Sequence, residues 1–569
     1  MEYRGRQTST SNSNTVYEVT KMSTKKQFSR KRDAPAIFIS LLMFSGIIIY
    51  GLPVAIGKII TGAVENPETI GIIITGAVEN PEQHPSAAAE HPPSQAFLDI
   101  ARNYADAMVA YGRDRYGDVH TPMFAAALSR ETMQPGSREE FGSIQGVREI
   151  DRSLGGANPW DHLALYPLLF HLSDVTGDPA YADNAISALG YFFQHTQSPE
   201  TGFWAWGDHI YWDFHTNSMG GYKYHEIAGA WPFLDIVYEL APEPAWRFAL
   251  GLWNHQVADQ ETGNFSRHAL YSEHGPEKSR DFPRYAGQMI LIWADAWSRP
   301  ENTEREDRDE MIRAIRTLTN RMERNMKLGS AGYLAAHEEA DYVWPFSNLE
   351  LARSIWEAIP LVSGADEDLA EQMKALALRQ DNDFLRAPHR ILDGGGFAAT
   401  LHSETGEPRV RSMNLPYSST WSTGYGHGIH AEYGNRILGR YRQLVDEYPE
   451  MAEKYRLFGL AAADKYLTEE PDPDEFVTPR IFANIIALLL EAWHLTSNRD
   501  YLERADFFGS KAVSFFMDDG NPLPRASNQH QHYEAKTGGA DLMFALFALH
   551  RTLEEGEHVQ LFWDRKRGW

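Results

Sequence analysis

Thr478 to Met517, TPRIFANIIALLLEAWHLTSNRDYLERADFFGSKAVSFFM, is the stretch that decides the fold. Its first part, 478–496, is apolar almost all round (IIALLLEAW), whereas 499–517 is apolar on one face only. Asn498 stands between them as an N-cap. A helix that is apolar on every side needs a buried position, and an amphipathic neighbour can cover it while meeting water. The pattern predicts a helical hairpin with one inner and one outer member, the unit from which a toroid is built.

The unit recurs along the chain. Thr176-Gly-Asp-Pro-Ala-Tyr-Ala-Asp-Asn-Ala185 echoes Thr496-Ser-Asn-Arg-Asp-Tyr-Leu-Glu-Arg-Ala505. Each has a capping residue, Asp178 or Asn498, and then Tyr and Ala at i and i+4 on one face. Periodicity predicts fourteen helical segments, near 95–112, 160–175, 179–195, 225–240, 243–258, 283–298, 304–327, 347–361, 366–385, 428–445, 450–467, 478–496, 499–517 and 538–556. A second echo, Glu200-Thr-Gly-Phe203 and Glu261-Thr-Gly-Asn-Phe265, predicts tight turns into short extended pieces. The expected fold class is all-α, an (α/α) toroid of six or seven helical hairpins over 95–556, with the site carried by long loops at one end. An open solenoid would use repeats more regular in length.

Upstream, residues 1–35 crowd Lys21, Lys25, Lys26, Arg30, Lys31 and Arg32 ahead of a run without charge, Ala36 to Gly57. That run is long enough to cross a bilayer, and the positive-inside rule places the basic tail in the cytoplasm and the large domain outside. A cleaved signal peptide would carry a shorter apolar core. The expectation is therefore an uncleaved transmembrane signal anchor with an extracytoplasmic domain, periplasmic or at the cell surface. Residues 58–94 read as a linker in which IITGAVENPE occurs at 59–68 and again at 73–82. Residues 557–569 read as a tail. The chain has no cysteine, which removes disulfides and thiol nucleophiles together. Its net charge of −25 argues against a nucleic-acid partner.

The chemistry concentrates in the loops. Trp204 to Glu226, WAWGDHIYWDFHTNSMGGYKYHE, packs seven aromatics, three histidines and three carboxylates into twenty-three residues. Aromatic faces beside polar side chains suit a pyranose, whose C–H faces stack while its hydroxyls need hydrogen-bond partners. Trp204, Trp206, His209, Tyr211, Trp212, His225, Arg280, Tyr425 and His427 are the expected substrate-binding residues. Two histidine pairs, His427/His430 and His530/His532, lack a third ligand at diagnostic spacing, so neither a metal nor a cofactor is expected.

Two carbohydrate chemistries fit such loops. β-Elimination at a uronic acid needs a group that neutralises the C5 carboxylate, a base near the C5 proton and an acid near O4. Asn217 and Arg284 are candidates for the carboxylate clamp, His268 for the base and Tyr285 for the acid. Arg280 competes with Arg284, and His225 or His274 with His268. An arginine beside Tyr285 is expected to lower its pKa. Glycoside hydrolysis instead needs two carboxyl groups flanking the bond, for which Asp213, Glu226, Glu338, Glu339 and Asp341 are available.

The W-x-W-G-D-H-x-Y-W-D-F block at 204–214, the N-x-x-x-H-x-L-Y run and the stretch His532 to Met543 resemble extracellular (α/α)-toroid polysaccharide lyases of the alginate and glucuronan type. The resemblance implies an acidic polysaccharide substrate and a +1 uronate surrounded by Asn, His, Arg and Tyr, matched here to Asn217, His268, Arg284 and Tyr285. The same toroid serves unsaturated-uronyl hydrolases, epimerases and noncatalytic sugar binders, which remain as alternatives.

Overall fold

A computed structural model describes residues 94–227, 234–278, 280–325, 329–411, 415–421, 429–518 and 520–561. The basic tail, the apolar run 36–57, the linker up to 93, Tyr425 and His427 lie outside the described residues. The helices are α1 (Ser94–Tyr111), α2 (Arg138–Phe141), α3 (Leu165–Thr176), α4 (Ala180–His195), α5 (Leu234–Leu240), α6 (Pro242–Gly251), α7 (Pro283–Ser298) and α8 (Asp309–Asn320). They continue as α9 (Pro345–Val362), α10 (Glu367–Leu385), α11 (His430–Leu444), α12 (Pro449–Lys465), α13 (Pro479–Thr496), α14 (Arg499–Phe516) and α15 (Gly539–Glu555). Each helical segment expected from sequence has a counterpart, and α2 is a single added turn.

Packing follows the inner-and-outer rule. Of the eighteen residues of α13, thirteen are buried, against six of the eighteen in α14, spaced as one stripe. Helix α7 likewise buries thirteen of sixteen residues, while its neighbour α8 buries five. The pairs are α3 on α4, α5 on α6, α7 on α8, α9 on α10, α11 on α12, α13 on α14, and α15 on α1. Neighbouring inner members meet as α7–α9, α9–α11, α11–α13, α13–α15 and α15–α3. The first helix thus packs on the last. Among the described residues no helix is long and apolar enough to cross a membrane.

The two Tyr–Ala echoes occupy equivalent places. Tyr181 of α4 and Tyr501 of α14 each donate a hydroxyl, at 2.5 Å, to an aspartate of another helix, Asp106 of α1 and Asp464 of α12. Ala185 and Ala505, one turn later, are fully buried. The turns of the second echo also correspond, with Gly202 and Gly263 at φ 77° and 74°, a region open to glycine and strained for most other residues.

The expectation of an all-α chain needs amendment. Between helices the described residues carry short antiparallel strands: β1 (Ala127–Leu128), β2 (Gly156–Ala157), β3 (Ile210–Asp213), β4 (Ser218–Gly221), β5 (Tyr224–Glu226) and β6 (Val257–Asp259). Then come β7 (Asn264–Phe265), β8 (His268–Leu270), β9 (Pro276–Lys278), β10 (Tyr342–Val343), β11 (Leu401–His402) and β12 (Tyr533–Glu534). They pair as β1–β12, β2–β3–β4, β5–β8–β9, β6–β7 and β10–β11. Of the segment expected as a helix over 225–240, the described helical part is Leu234–Leu240. Its first residues, His225 and Glu226, belong instead to β5, whose backbone pairs with β8. Similarly the segment at 243–258 yields to a wider turn at Leu252–Gln256 and then β6. Residues 557–561, expected as tail, pack back: Val559 and Leu561 are buried, and His558 Nε2 lies 2.8 Å from Glu491 Oε1.

Two core histidines make stability acid-sensitive. His162 is fully buried with Nε2 3.1 Å from Tyr533 Oη, and burial pushes its pKa down to about 3. His430 at the start of α11 meets Ser418 Oγ at 2.8 Å, and burial, with the charge of Lys465, pushes it down to about 4. Folding holds both neutral. Their contribution is fully present above the unfolded pKa of about 6.5 and is lost as pH falls towards the folded values. Each should add a slope of about 1.4 kcal/mol per pH unit to the unfolding free energy below pH 6.5. Urea unfolding at several pH values down to 4.5 measures that slope, and His430→Gln should flatten it by about one proton's worth.

Candidate active site

Register across β5 and β8 builds the centre of the site. Glu226 lies opposite His268, His225 opposite Ala269 and Tyr224 opposite Leu270. Side chains alternate along a strand, so Glu226 and Tyr224 share one face with His268, while His225 and Ala269 point to the other. That other face is core. His225 and Ala269 are fully buried, and the His225 ring stacks on Phe203 with centroids 4.5 Å apart.

A third segment comes in just before β3. Gly207 bridges to Glu226, and a Cβ at Gly207 would meet the Glu226 carbonyl oxygen at 2.4 Å. With φ at 97° as well, only glycine permits this approach. The peptide of Gly207 is held at both ends by Asn158, whose Oδ1 accepts its N–H at 3.2 Å and whose Nδ2 donates to its carbonyl at 2.8 Å. His209 follows with φ at 79°, a conformation that costs a non-glycine residue about 1–3 kcal/mol. This strain delivers its ring to Glu226.

The result is a triangle of donor atoms. Glu226 Oε2 is 2.8 Å from His268 Nε2 and 3.1 Å from His209 Nε2, and the two nitrogens are 3.3 Å apart. Ligands about 2.1 Å from a common ion in tetrahedral or octahedral geometry lie roughly 3.0–3.4 Å from each other. His209, Glu226 and His268 could therefore hold a divalent ion of the first transition row, which imidazole and carboxylate together suit. The surroundings fit this role. Asp151 Oδ1 lies 2.7 Å from His209 Nδ1, the carboxylate support that turns Nε2 towards an ion, and Arg148 holds Asp151 at 2.6 Å. Tyr285 Oη donates to Glu226 Oε1, and Arg267 Nη1 stands 3.5 Å from the same oxygen.

Electrostatics follow from these contacts. Burial raises the Glu226 pKa, but hydrogen bonds from His209 and His268 and the charge of Arg267 outweigh it, leaving the carboxyl well below its ordinary value. Burial opposes charge on His209 too, yet its bonds to Asp151 and Glu226 raise it to about 9. Tyr285 departs from expectation. Arg284 Nη2 does sit 3.1 Å from its hydroxyl and lowers its pKa, but burial and the charge of Glu226 outweigh the arginine, and the phenol is raised. Beside the triangle, Lys536 Nζ bridges Asp208 at 2.8 Å and Asp161 at 3.3 Å. Burial raises Asp161 to about 6, Lys536 lowering it and Asp208 raising it.

Of the residues expected from sequence, the structure brings together His209, His268, Arg284 and Tyr285. Asn217 falls elsewhere, at the turn between β3 and β4, where its φ is 46° and its Oδ1 accepts from Trp212 Nε1 at 3.1 Å. Trp204 and Trp206 are core residues rather than stacking faces, at 0% and 3% exposure. His225 is also lost to the core. Trp212 points inward and Tyr211 outward on β3, where Tyr211 lies against Gly156 and Gly220. His274 pairs with His255, Nδ1 to Nδ1, at 2.9 Å. Arg280 is exposed beside His337 and is taken up below. Against the expectation of no metal site stands the triangle, which could hold an ion and whose members come from three segments with no short motif between them. Asp151 and Lys536 were not anticipated, because each acts through a contact far away in sequence.

The family described as periplasmic pectate lyase matches residues 163–293, a stretch that contains His209, Glu226, Arg267, His268, Arg284 and Tyr285. The pectate disaccharide-lyase of Dickeya dadantii (strain 3937) is 26% identical over 109 residues, which is 18% of this chain and 20% of that protein. Among solved structures, a sugar epimerase from a ruminal bacterium aligns at 11% identity with a TM-score of 0.41, over 80% of this chain and 99% of that one. An alpha-1,6-mannanase from Salegentibacter sp. HEL1_6 aligns at 10% identity with a TM-score of 0.39, over 80% and 99% of the two chains. Neither overlap bears on chemistry.

If the triangle holds an ion, titration calorimetry with Mn2+ or Zn2+ should show one site per chain that Glu226→Gln abolishes. Asp151→Asn should weaken it about 10–100-fold through the orientation of His209. Equal affinity in all three proteins would rule the triangle out as the site.

Proposed function

We propose that this protein is a polysaccharide lyase that cleaves a uronate-containing polysaccharide by β-elimination, carried on an (α/α) toroid of six or seven hairpins. The observation that carries the reading is the convergence of His209, Glu226 and His268 with Arg267 and Arg284, all inside the stretch similar to periplasmic pectate lyases. The packing of α1 on α15 supports a closed ring of hairpins.

Elimination requires that the C5 carboxylate be neutralised so that the C5 proton can leave. A divalent cation on His209, Glu226 and His268 supplies that neutralisation as a Lewis acid when bound. Arg267 and Arg284 add fixed positive charge at the same place. Tyr285, buried and donating to Glu226, serves as a positioning residue that fixes which carboxylate oxygen faces the triangle. The clamp role considered for Asn217 passes to the arginines. His268 cannot use Nε2 both as a ligand and as the base, so those two assignments exclude each other.

A second reading, glycoside hydrolysis, is favoured by Asp161. A buried carboxyl raised to about 6 has the pKa a general acid needs, and Lys536 holds it beside Asp208. As for location, the charge-free run 36–57 behind its basic tail supports an uncleaved anchor, with the toroid over 95–556 outside the cytoplasm.

Incubation with polygalacturonate, alginate and glucuronan, followed by absorbance of the C4–C5 double bond, tests the reaction. Chelation should abolish the signal and added Mn2+ or Zn2+ restore it. New reducing ends without that absorbance would establish hydrolysis instead. His268→Ala separates the two roles of His268: loss of turnover with ion binding intact makes it the base, and loss of both makes it a ligand.

A further inference from the structure

A second group of cations lies next to the triangle, over a floor of aromatic rings. Four rings form its floor. Phe282 lies 5.6 Å from His337 and 5.1 Å from Trp344, and Tyr342 lies 5.7 Å from His337 and 5.1 Å from Trp344. Arg267 and Arg284 of the triangle's surroundings cover Phe282 at 5.4 and 5.5 Å. Arg411 covers Tyr342 at 3.7 Å. Arg280 is brought beside His337 because Asp281 Oδ1 accepts the Glu338 amide at 3.0 Å, locking the two segments together.

Arg280 and Arg411 differ from most arginines of this chain. Asp281 is already committed to Arg321, and Asp341 to Arg409 at 3.0 Å. Among the described side chains no carboxylate forms an ion pair with Arg280 or Arg411, though Asp281, Glu339 and Asp341 stand close enough to act on His337 and Tyr342. In a chain of net charge −25, two such guanidinium groups flanking one partly exposed histidine form a site that can take an anion. After burial, Arg280 and Arg411 lower the His337 pKa while Asp281 and Glu339 raise it, and both arginines lower that of Tyr342 against Asp341.

We propose that Arg280, Arg411 and His337 form a carboxylate-binding subsite that takes a second uronate of the same polysaccharide chain, flanking the one at the triangle. Planar guanidinium forks match carboxylates, and the part-exposed Trp344 offers a face on which a sugar ring can stack. The subsite rests on the proposed lyase reading for the identity of its anion. It makes the protein a reader of consecutive acidic sugars rather than of a single one, so esterification of the neighbouring carboxyl weakens binding.

The test uses the full chain and the variants Arg280→Gln and Arg411→Met, the latter keeping an apolar stem on Tyr342. Galacturonate oligomers of increasing length serve as ligands for calorimetry and polygalacturonate as substrate. If wild type yields unsaturated product, the variants should raise KM about tenfold or more and lose the affinity gained between monomer and trimer. An unchanged KM and length dependence overturns the subsite and leaves the lyase reading standing. If wild type yields no unsaturated product but binds trigalacturonate, and the variants lose that binding, the subsite stands and the lyase reading falls. Absence of both binding and turnover in wild type overturns both. Retention of the dichroism spectrum and melting temperature guards against a folding defect, and partial recovery in Arg411→Lys marks the charge as the cause.

Discussion

The buried carboxylate of Glu226 is the interaction on which the rest of the site depends. An isolated charge at 2% exposure would cost several kcal/mol, and it is tolerated only because His209, His268, Tyr285 and Arg267 surround it. Those four groups arrive from three different segments, Arg267 and His268 being neighbours in sequence. The local backbone is arranged to bring them there: β5 and β8 in one register, Gly207 pressed against β5, His209 in a left-handed conformation. Each is a local departure from the easiest chain geometry, and each has its compensation at the same carboxylate.

The helices were legible in the sequence because their signal is local and repeated. Thirteen buried residues in α13 against a single stripe in α14 is the contrast already visible in IIALLLEAW and in the spacing of Tyr501, Ala505 and Phe508. The aromatic block at 204–226 was legible as unusual but was misread in part. Trp204, Trp206 and His225 look like sugar-facing groups in one dimension, yet Phe203 to Trp206 is buried throughout, and the period of two in β5 turns His225 into the core. The alternation Tyr224-His225-Glu226 was the available signal, and it singles out Glu226 only once the segment is taken as a strand rather than as the start of a helix. The triangle itself left no trace in spacing, since its members are separated by intervals that only strand pairing brings together.

The charge pattern resolves an apparent conflict. A chain this acidic repels a polyanion at long range, but that repulsion is screened within about 10 Å at ordinary ionic strength. On the proposed reading, what a bound chain would meet is local: Arg267, Arg280, Arg284 and Arg411 over a floor of rings. Part of the acidic excess lies elsewhere, as on α10, whose first turn carries Glu367 and Asp368.

Pairing of β1 with β12, and of α1 with α15, has a consequence for how the molecule comes into being. The same late segment that provides β12 also provides Glu534, which grips Arg152 through paired nitrogens, and Lys536, which reaches Asp208 next to His209. During synthesis α1 can pack only on α3 and α4 until α15 arrives, more than four hundred residues later. Binding chemistry and chain completion are thereby tied together: a ribosome-stalled or truncated product lacks the strand, the lysine and the closing helix at once. An unfinished copy is thus left without a finished site.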